Sequence, residues 1–139
     1  MFEKILCAND GSERAAHALE LAIAIAKANG SELHMVSVEE IDYMPEFIEE
    51  VREEVGTAAR RFHKVLQDAR QAARAQQIDI RTHVLTGHAV RDIVLLATEL
   101  KSDLLVIGSN GHSRFYERML GSRAERLVNL APCPVLVVK

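Results

Sequence analysis

Apolar and polar positions along the chain change repeatedly between the spacing of strands and the spacing of helices. Short apolar runs typical of buried strands occupy residues 4–8, 32–38, 103–108 and 133–139. Residues 78–87 instead alternate apolar and polar side chains, which predicts a half-exposed or edge strand. The pattern therefore predicts five strands.

Helical spacing fills the intervals between these strands. Residues 13–30 place apolar side chains on one helix face and end in a glycine, a typical helix stop. Further helices are predicted over 88–101 and from Ser122 to Leu130. The segment from Pro45 to about Gln77 keeps helical spacing over so great a length that we expect a bend or break at Gly56.

Strands that alternate with helices predict an α/β fold with a mostly parallel sheet. The nearly all-apolar run at 103–108 agrees with this, because a parallel sheet is covered on both faces. The length of 139 residues, without repeats or linkers, predicts one domain over 1–139.

Composition narrows the class of protein. Apolar residues make up 48% and charged residues 27%, and the net charge is −3, which argues against a general binder of nucleic acid or of anionic membranes. No run approaches the roughly 20 apolar residues of a membrane span, and the amino-terminal residues do not form a signal peptide. Cys7 and Cys133 lie in apolar surroundings, so we expect unpaired thiols and a cytoplasmic location.

Three glycines lie at or beyond the end of the apolar strand at 103–108, namely Gly108, Gly111 and Gly121. The connection over 109–121 is longer than the roughly 2–6 residues that such a loop needs. It leads to a helix whose residues Ser122 to Glu125 match a capping box. Unpaired N–H groups and the helix dipole favour an anion there, most often a phosphate, and glycines let the backbone approach it. An ordinary strand-to-helix connection is the alternative, since neither G-x-x-x-x-G-K-[ST] nor G-x-G-x-x-G is present.

The spacing G-x2-G-x9-G-[ST], formed by these glycines and Ser122, resembles the nucleotide-binding branch of the universal stress protein family. "KILCANDGSERA" is similar to the opening strand and aspartate turn of that family, and "LVNLAPCPVLVVK" to its closing strand, so the resemblance covers the whole chain. It implies an open, five-stranded parallel sheet of order 3-2-1-4-5 with helices on both faces. That architecture is Rossmann-like, of the adenine nucleotide α-hydrolase type.

The resemblance also implies a ligand, ATP or another adenine nucleotide, with Mg²⁺ bound through its phosphates. Asp10 would contact the nucleoside side of the ligand, the backbone of Val38 at the end of strand two would meet the adenine edge, and Ile107 would pack near the base. The implied nucleotide-binding set is Ala8, Asn9, Asp10, Val38, Ile107, Gly108, Gly111, Gly121, Ser122 and Arg123.

Two positions depart from the family pattern, and one has a second interpretation. Many members carry proline at the position of Ala8 and a small or aliphatic residue at that of Arg123. Arg123 could strengthen phosphate binding or simply point to solvent. Asp10 begins a capping-box pattern that ends at Glu13, so it could cap the first helix as well as contact a ligand.

Three functions remain open from the sequence. The first is an ATP-binding stress-response regulatory protein. The second is a slow ATPase or phosphotransferase, in which Glu117 would be the base and His112 could contact the γ-phosphate. Fast phosphoryl transfer needs a positioned base and a clamp on the leaving group, so we expect hydrolysis to be slow or absent. The third is a nucleotide-free interaction module. Whichever function applies, the resemblance implies a homodimer through the C-terminal strand, Val135–Val138. The apolar edge of that strand favours pairing with a second chain. The histidines show no metal-ligand spacing, so no protein metal site is expected.

Overall fold

The computed structural model describes residues 1–41, 60, 62–109 and 120–139. The described elements, in chain order, are β1 Lys4–Ala8, α1 Glu13–Asn29, β2 Glu32–Glu40, α2 His63–Ala75, β3 Ile80–Gly87, α3 Ala89–Leu100, β4 Leu104–Gly108, α4 Ser122–Leu130 and β5 Val135–Val138. The C-terminal part of the predicted helix between Pro45 and Gln77 is α2. The rest of that prediction, including the break at Gly56, lies outside the described residues.

The described strands form one sheet in the order β3-β2-β1-β4-β5, and every neighbouring pair is parallel. This confirms the α/β fold class and the strand order 3-2-1-4-5. β3 lies at one edge, as its alternating pattern predicted. β1 pairs with β2 on one side and β4 on the other, so that Leu6 lies between His34 and Leu105.

Helices cover both faces of the sheet, which explains why the central strands are apolar at nearly every position. On one face α1 and α2 pack against side chains that include Ile5, Met35 and Val106. On the other face α3 and α4 pack against Leu6, Leu105 and their neighbours. The chain leaves β1 toward the first face, whereas it leaves β4 toward the second.

β2 is longer than its apolar pattern predicted. The prediction that Val38 ends the strand is wrong, because β2 continues to Glu40 and pairs with β3 up to Glu40 and Gly87. Main-chain pairing needs no apolar side chain, so the hydrophobic pattern ended before the strand did.

The predicted capping boxes are wrong at both helices. The N-cap of α1 is Ser12, whose hydroxyl accepts a hydrogen bond from the N–H of Ala15, while Asp10 accepts one from the N–H of Ser12 at 2.9 Å. At α4 the N-cap is Gly121, and among the described residues no side chain caps this end. Ser122 is therefore the first helical residue, one position too far along to cap the helix.

Candidate functional site

A cavity of about 350 Å³ opens at the carboxyl ends of β1, β2 and β4 and extends between the sheet and helices α3 and α4. The chain turns to opposite faces after β1 and β4, and such a switch point leaves a crevice where parallel α/β folds bind ligands. A volume of this size is at the lower end of the range for small-molecule pockets.

Every predicted site residue within the described chain lines this cavity: Ala8, Asn9, Asp10, Val38, Ile107, Gly108, Gly121, Ser122 and Arg123. They come from the ends of three strands and from the first turn of α4. Gly111 lies outside the described residues, as do His112 and Glu117.

The apolar half of the cavity was missed by the sequence analysis. It is formed by side chains of β2, α3 and α4, namely Val36, Ala89, Val90, Ile93, Ala124 and Leu127. Each of these residues also belongs to the hydrophobic core between the sheet and these helices. A core position that lines a cavity has the same spacing along its helix as any other core position, so the sequence carried no signal for them.

The turn after β1 forms one polar wall. The Asn9 side chain accepts a hydrogen bond from the N–H of Gly11 at 2.9 Å, and its amide nitrogen lies 3.5 Å from the sulfur of Met35, which packs in the core on the other face. The side chain of Asn9 is thus engaged within the protein, and its backbone N–H and carbonyl oxygen are hydrogen-bonded to β2. Gly11 completes the turn with a left-handed φ of 86°. Asp10 is exposed at the rim, next to the start of α1.

Gly108 lines the cavity at the end of β4, the strand next to β1, but the space beside its α-carbon is filled by protein. A β-carbon there would lie 3.1 Å from the carbonyl carbon of Arg14 in α1. Arg14 also donates from Nη1 to the carbonyl oxygen of Ser109 at 2.5 Å. The structure thus supplies a different reason for the glycine than room for phosphate oxygens: the first turn of α1 packs on the end of β4.

The amino end of α4 supplies the positive part of the cavity. Gly121 is buried, and its φ of −61° and ψ of 153° are open to any residue, so its backbone conformation does not demand glycine. Ser122 and Arg123 follow in the first turn. The first N–H groups of a helix point out of its amino end and favour an anion, and the charge of Arg123 adds to that preference.

Arg123 is tied to a residue that the sequence analysis did not consider. Its Nη2 lies 2.7 Å from Oε2 of Glu40, the last residue of β2. The other carboxylate oxygen of Glu40 accepts a hydrogen bond of 3.3 Å from the N–H of Ala89, where α3 begins. Because 83 positions separate Glu40 from Arg123, no local pattern could indicate this pair.

The fold and the lining of this cavity define an α/β protein with a cavity of small-molecule size at the switch point of its sheet. The model of the universal stress protein family matches residues 1–139. The chain belongs to the universal stress protein family.

Individual relatives agree with this assignment. Universal stress protein YxiE of Bacillus subtilis (strain 168) is 35% identical over an alignment that covers 100% of both chains. The structure of universal stress protein UspA from Lactobacillus plantarum has a TM-score of 0.86 at 24% identity, covering 99% of this chain and 97% of that one. A universal stress protein crystallised in complex with cAMP has a TM-score of 0.78 at 26% identity, with the same coverage.

The described part of the chain lacks both a membrane-spanning helix and a cluster of metal-ligating side chains. Within residues 1–41, 60, 62–109 and 120–139, no helix is long and apolar enough to cross a membrane. The same residues contain no group of three or more histidine, cysteine, aspartate or glutamate side chains able to hold a metal ion. Cys7 and Cys133 are both unpaired.

Proposed function

We propose that the cavity binds an adenine nucleotide and that the chain acts as a nucleotide-binding regulatory protein of the stress response. One observation carries the proposal: an apolar slot and a helix amino end without a side-chain cap, among the described residues, open into the same cavity. A nucleotide has the matching parts, a flat base and an anionic phosphate group. A related protein of 26% identity was crystallised with cAMP, which supports this class of ligand.

The proposed pose follows the polarity of the cavity. The base lies in the apolar part near Val38 and Ile107, and the phosphates lie at the first turn of α4 from Gly121 to Arg123. Asp10 is at the rim, where a carboxylate can accept hydrogen bonds from ribose hydroxyls. ATP is included among the proposed ligands, and Mg²⁺ would be bound through its phosphates, because Mg²⁺ commonly binds nucleotides in this way.

Thermal or urea unfolding with added nucleotide tests the proposal. A ligand at a hundredfold excess over its dissociation constant stabilises the folded state by about 2.7 kcal/mol. We expect AMP, cAMP, ADP or ATP to produce such a shift. Unfolding that is unchanged by all four at millimolar concentration would contradict the proposal.

A blocking variant links the shift to the cavity. Gly121→Val adds a branched side chain at a buried lining position whose φ and ψ a valine can adopt. We expect the variant to fold and to lose the nucleotide-dependent shift. Ala24→Val, on the exposed side of α1, adds two carbons away from the cavity and should retain the shift.

Binding without rapid turnover is the proposed mode of action, because fast phosphoryl transfer needs a positioned base and a clamp on the leaving group. Release of inorganic phosphate from ATP, measured over hours, distinguishes this from a slow ATPase or phosphotransferase. Activity that is abolished in Gly121→Val would favour the enzyme.

We further propose that two copies of the chain pair through β5 in the cytoplasm. β5 is one of the two edge strands of the described sheet, and Val135, Leu136 and Val137 are only partly buried. An edge of this kind offers backbone groups and apolar side chains to a second strand. Light scattering after gel filtration should give twice the chain mass of 15.5 kDa, and a monomer at micromolar concentration would contradict the dimer.

A further inference from the structure

Both oxygens of the Glu40 carboxylate are held at the amino ends of helices. Oε2 lies 2.7 Å from Nη2 of Arg123, the second residue of α4, and Oε1 accepts a hydrogen bond of 3.3 Å from the N–H of Ala89, the first residue of α3. Ala89 and Arg123 both line the cavity. Glu40 is therefore an anion of the protein itself, bound at the rim by two groups that favour anions.

The same guanidinium is the cationic side chain nearest the proposed phosphate position at Gly121 and Ser122 among the described lining residues. A guanidinium fork matches a carboxylate and a phosphate equally well in geometry, so the two anions compete for it. The side chains of Arg123 and Glu40 are 51% and 29% exposed. A pair with this exposure is weak, and a phosphate can displace the carboxylate.

Displacement of the Glu40 carboxylate from Arg123 by a phosphate leaves a negative charge close to the ligand. Once a phosphate occupies Arg123, the Glu40 carboxylate loses its guanidinium partner but still lies beside two residues that line the cavity, Ala89 and Arg123. The repulsion grows with each phosphate that the nucleotide carries.

We propose that Glu40 is a specificity-determining residue of this cavity: it competes with the nucleotide for Arg123 and so disfavours di- and triphosphates relative to monophosphates. The inference rests on the proposed nucleotide-binding function and adds to it the reason for a preference in phosphate number. Mg²⁺ weakens the preference, because it neutralises phosphate charge.

Glu40→Gln tests the inference, since glutamine keeps the length of the side chain and an oxygen that can accept from Ala89 but removes the charge. Dissociation constants for AMP, ADP and ATP would be measured by titration calorimetry at low salt with EDTA, and again with Mg²⁺. In EDTA we expect ATP to bind about tenfold more tightly to the variant and AMP only about twofold, which is the range for one charge at a few ångströms in a partly solvated site. With Mg²⁺ the gain for ATP should shrink.

Two further variants make the result specific. Glu99→Gln removes the same charge from an exposed position near the other end of α3 and should leave all three constants unchanged. In an Arg123→Gln background, the additional change Glu40→Gln removes only the repulsion, because no guanidinium remains to compete for, and it should have a smaller effect than in the original protein.

The outcomes separate the inference from the proposed function. Nucleotides that bind to the original protein and to Glu40→Gln with the same ratio of ATP to AMP affinity would overturn the inference and leave the proposed function intact. The absence of binding to the original protein and to every variant, each folded by circular dichroism, would overturn the proposed function itself.

Discussion

Gly108 and Arg14 are in backbone contact at the mouth of the cavity, where a β-carbon on Gly108 would lie 3.1 Å from the carbonyl carbon of Arg14. The side chain of Arg14 then reaches the carbonyl oxygen of Ser109 at 2.5 Å. The end of β4 and the first turn of α1 are therefore fixed to each other at two successive residues.

Gly108→Ala should destabilise the protein, because neither backbone segment can move without shifting a helix or a central strand. We expect the free energy of unfolding to fall by about 1–3 kcal/mol, the usual cost of overpacking. Urea denaturation measures this change. Ser109→Ala is the control, since the carbonyl oxygen that accepts from Arg14 remains, and it should have a smaller effect. A Gly108→Ala protein as stable as the original would refute the contact.

Ser12→Ala should lower the free energy of unfolding by about 1 kcal/mol, since the Ser12 hydroxyl accepts from the N–H of Ala15 at 3.2 Å and caps α1. Ser12→Asp supplies an equally good cap and should retain the original stability. Chemical denaturation of the three proteins side by side provides the measurement. Equal stability of Ser12→Ala and the original would mean that α1 is capped from elsewhere, as the sequence pattern beginning at Asp10 first suggested.

A polar cluster lies away from the cavity, where β2 and β3 pair at the edge of the sheet. Nδ1 of His34 is 2.9 Å from Nε2 of His83, and Nε2 of His34 is 3.2 Å from a carboxylate oxygen of Glu32. Arg81 contacts the other oxygen of Glu32 at 2.8 Å. Burial lowers the pKa of His83, and the neighbouring His34 lowers it further.

Stability should consequently fall as the pH drops from 7 to 5. A histidine with a lowered pKa in the folded state binds protons more readily in the unfolded state, where its pKa is about 6.5. Its contribution is complete above that value and is lost below it. We expect His83→Gln to flatten the pH dependence of the free energy of unfolding, measured in urea at several pH values. His17→Gln, at an exposed histidine of α1, should keep the original slope, and an unaltered slope in His83→Gln would contradict the interpretation.

The two thiols should differ in reactivity. Cys7 is fully buried in the central strand, and burial raises the pKa of its thiol to about 12, so hardly any thiolate forms at pH 8. Cys133 is only partly buried. We expect a disulfide reagent to modify one thiol of the native protein and the second only on unfolding. Cys133→Ser should then show no reaction until it unfolds, and rapid labelling of that variant in its native state would disprove the prediction.

Much of the fold could be predicted from the sequence, because periodicity is a local property. The apolar run at 4–8 and the helix from Ser122 to Leu130 have the predicted bounds. The strand order could not be derived from spacing, since periodicity does not show which strands pair. The strand order was instead implied by the family resemblance, which rests on the spacing of the glycines. The hydrophobic pattern did not predict where every element ends. β2 extends to Glu40 because its backbone continues to pair with β3 after its apolar side chains stop.

The candidate site was predictable only where its residues follow a recognisable motif. The glycine spacing and the turn at Asp10 indicated residues that the fold brings to one cavity. The apolar wall formed by Val90 and Ile93 looked like ordinary helix core, because side chains that face a cavity and side chains that face a neighbour share the same period.

The sequence by itself determined the order of strands and helices along the chain, the burial of the sheet on both faces and the loops rich in turn residues. Each of these features depends on residues only a few positions apart. Only the tertiary structure decided which groups meet across the crevice. Gly108 fits against α1 and Glu40 binds Arg123 because the parallel order of strands brings the ends of distant segments to the same edge. Such contacts depend on the path of the whole chain, and no local pattern encodes that path.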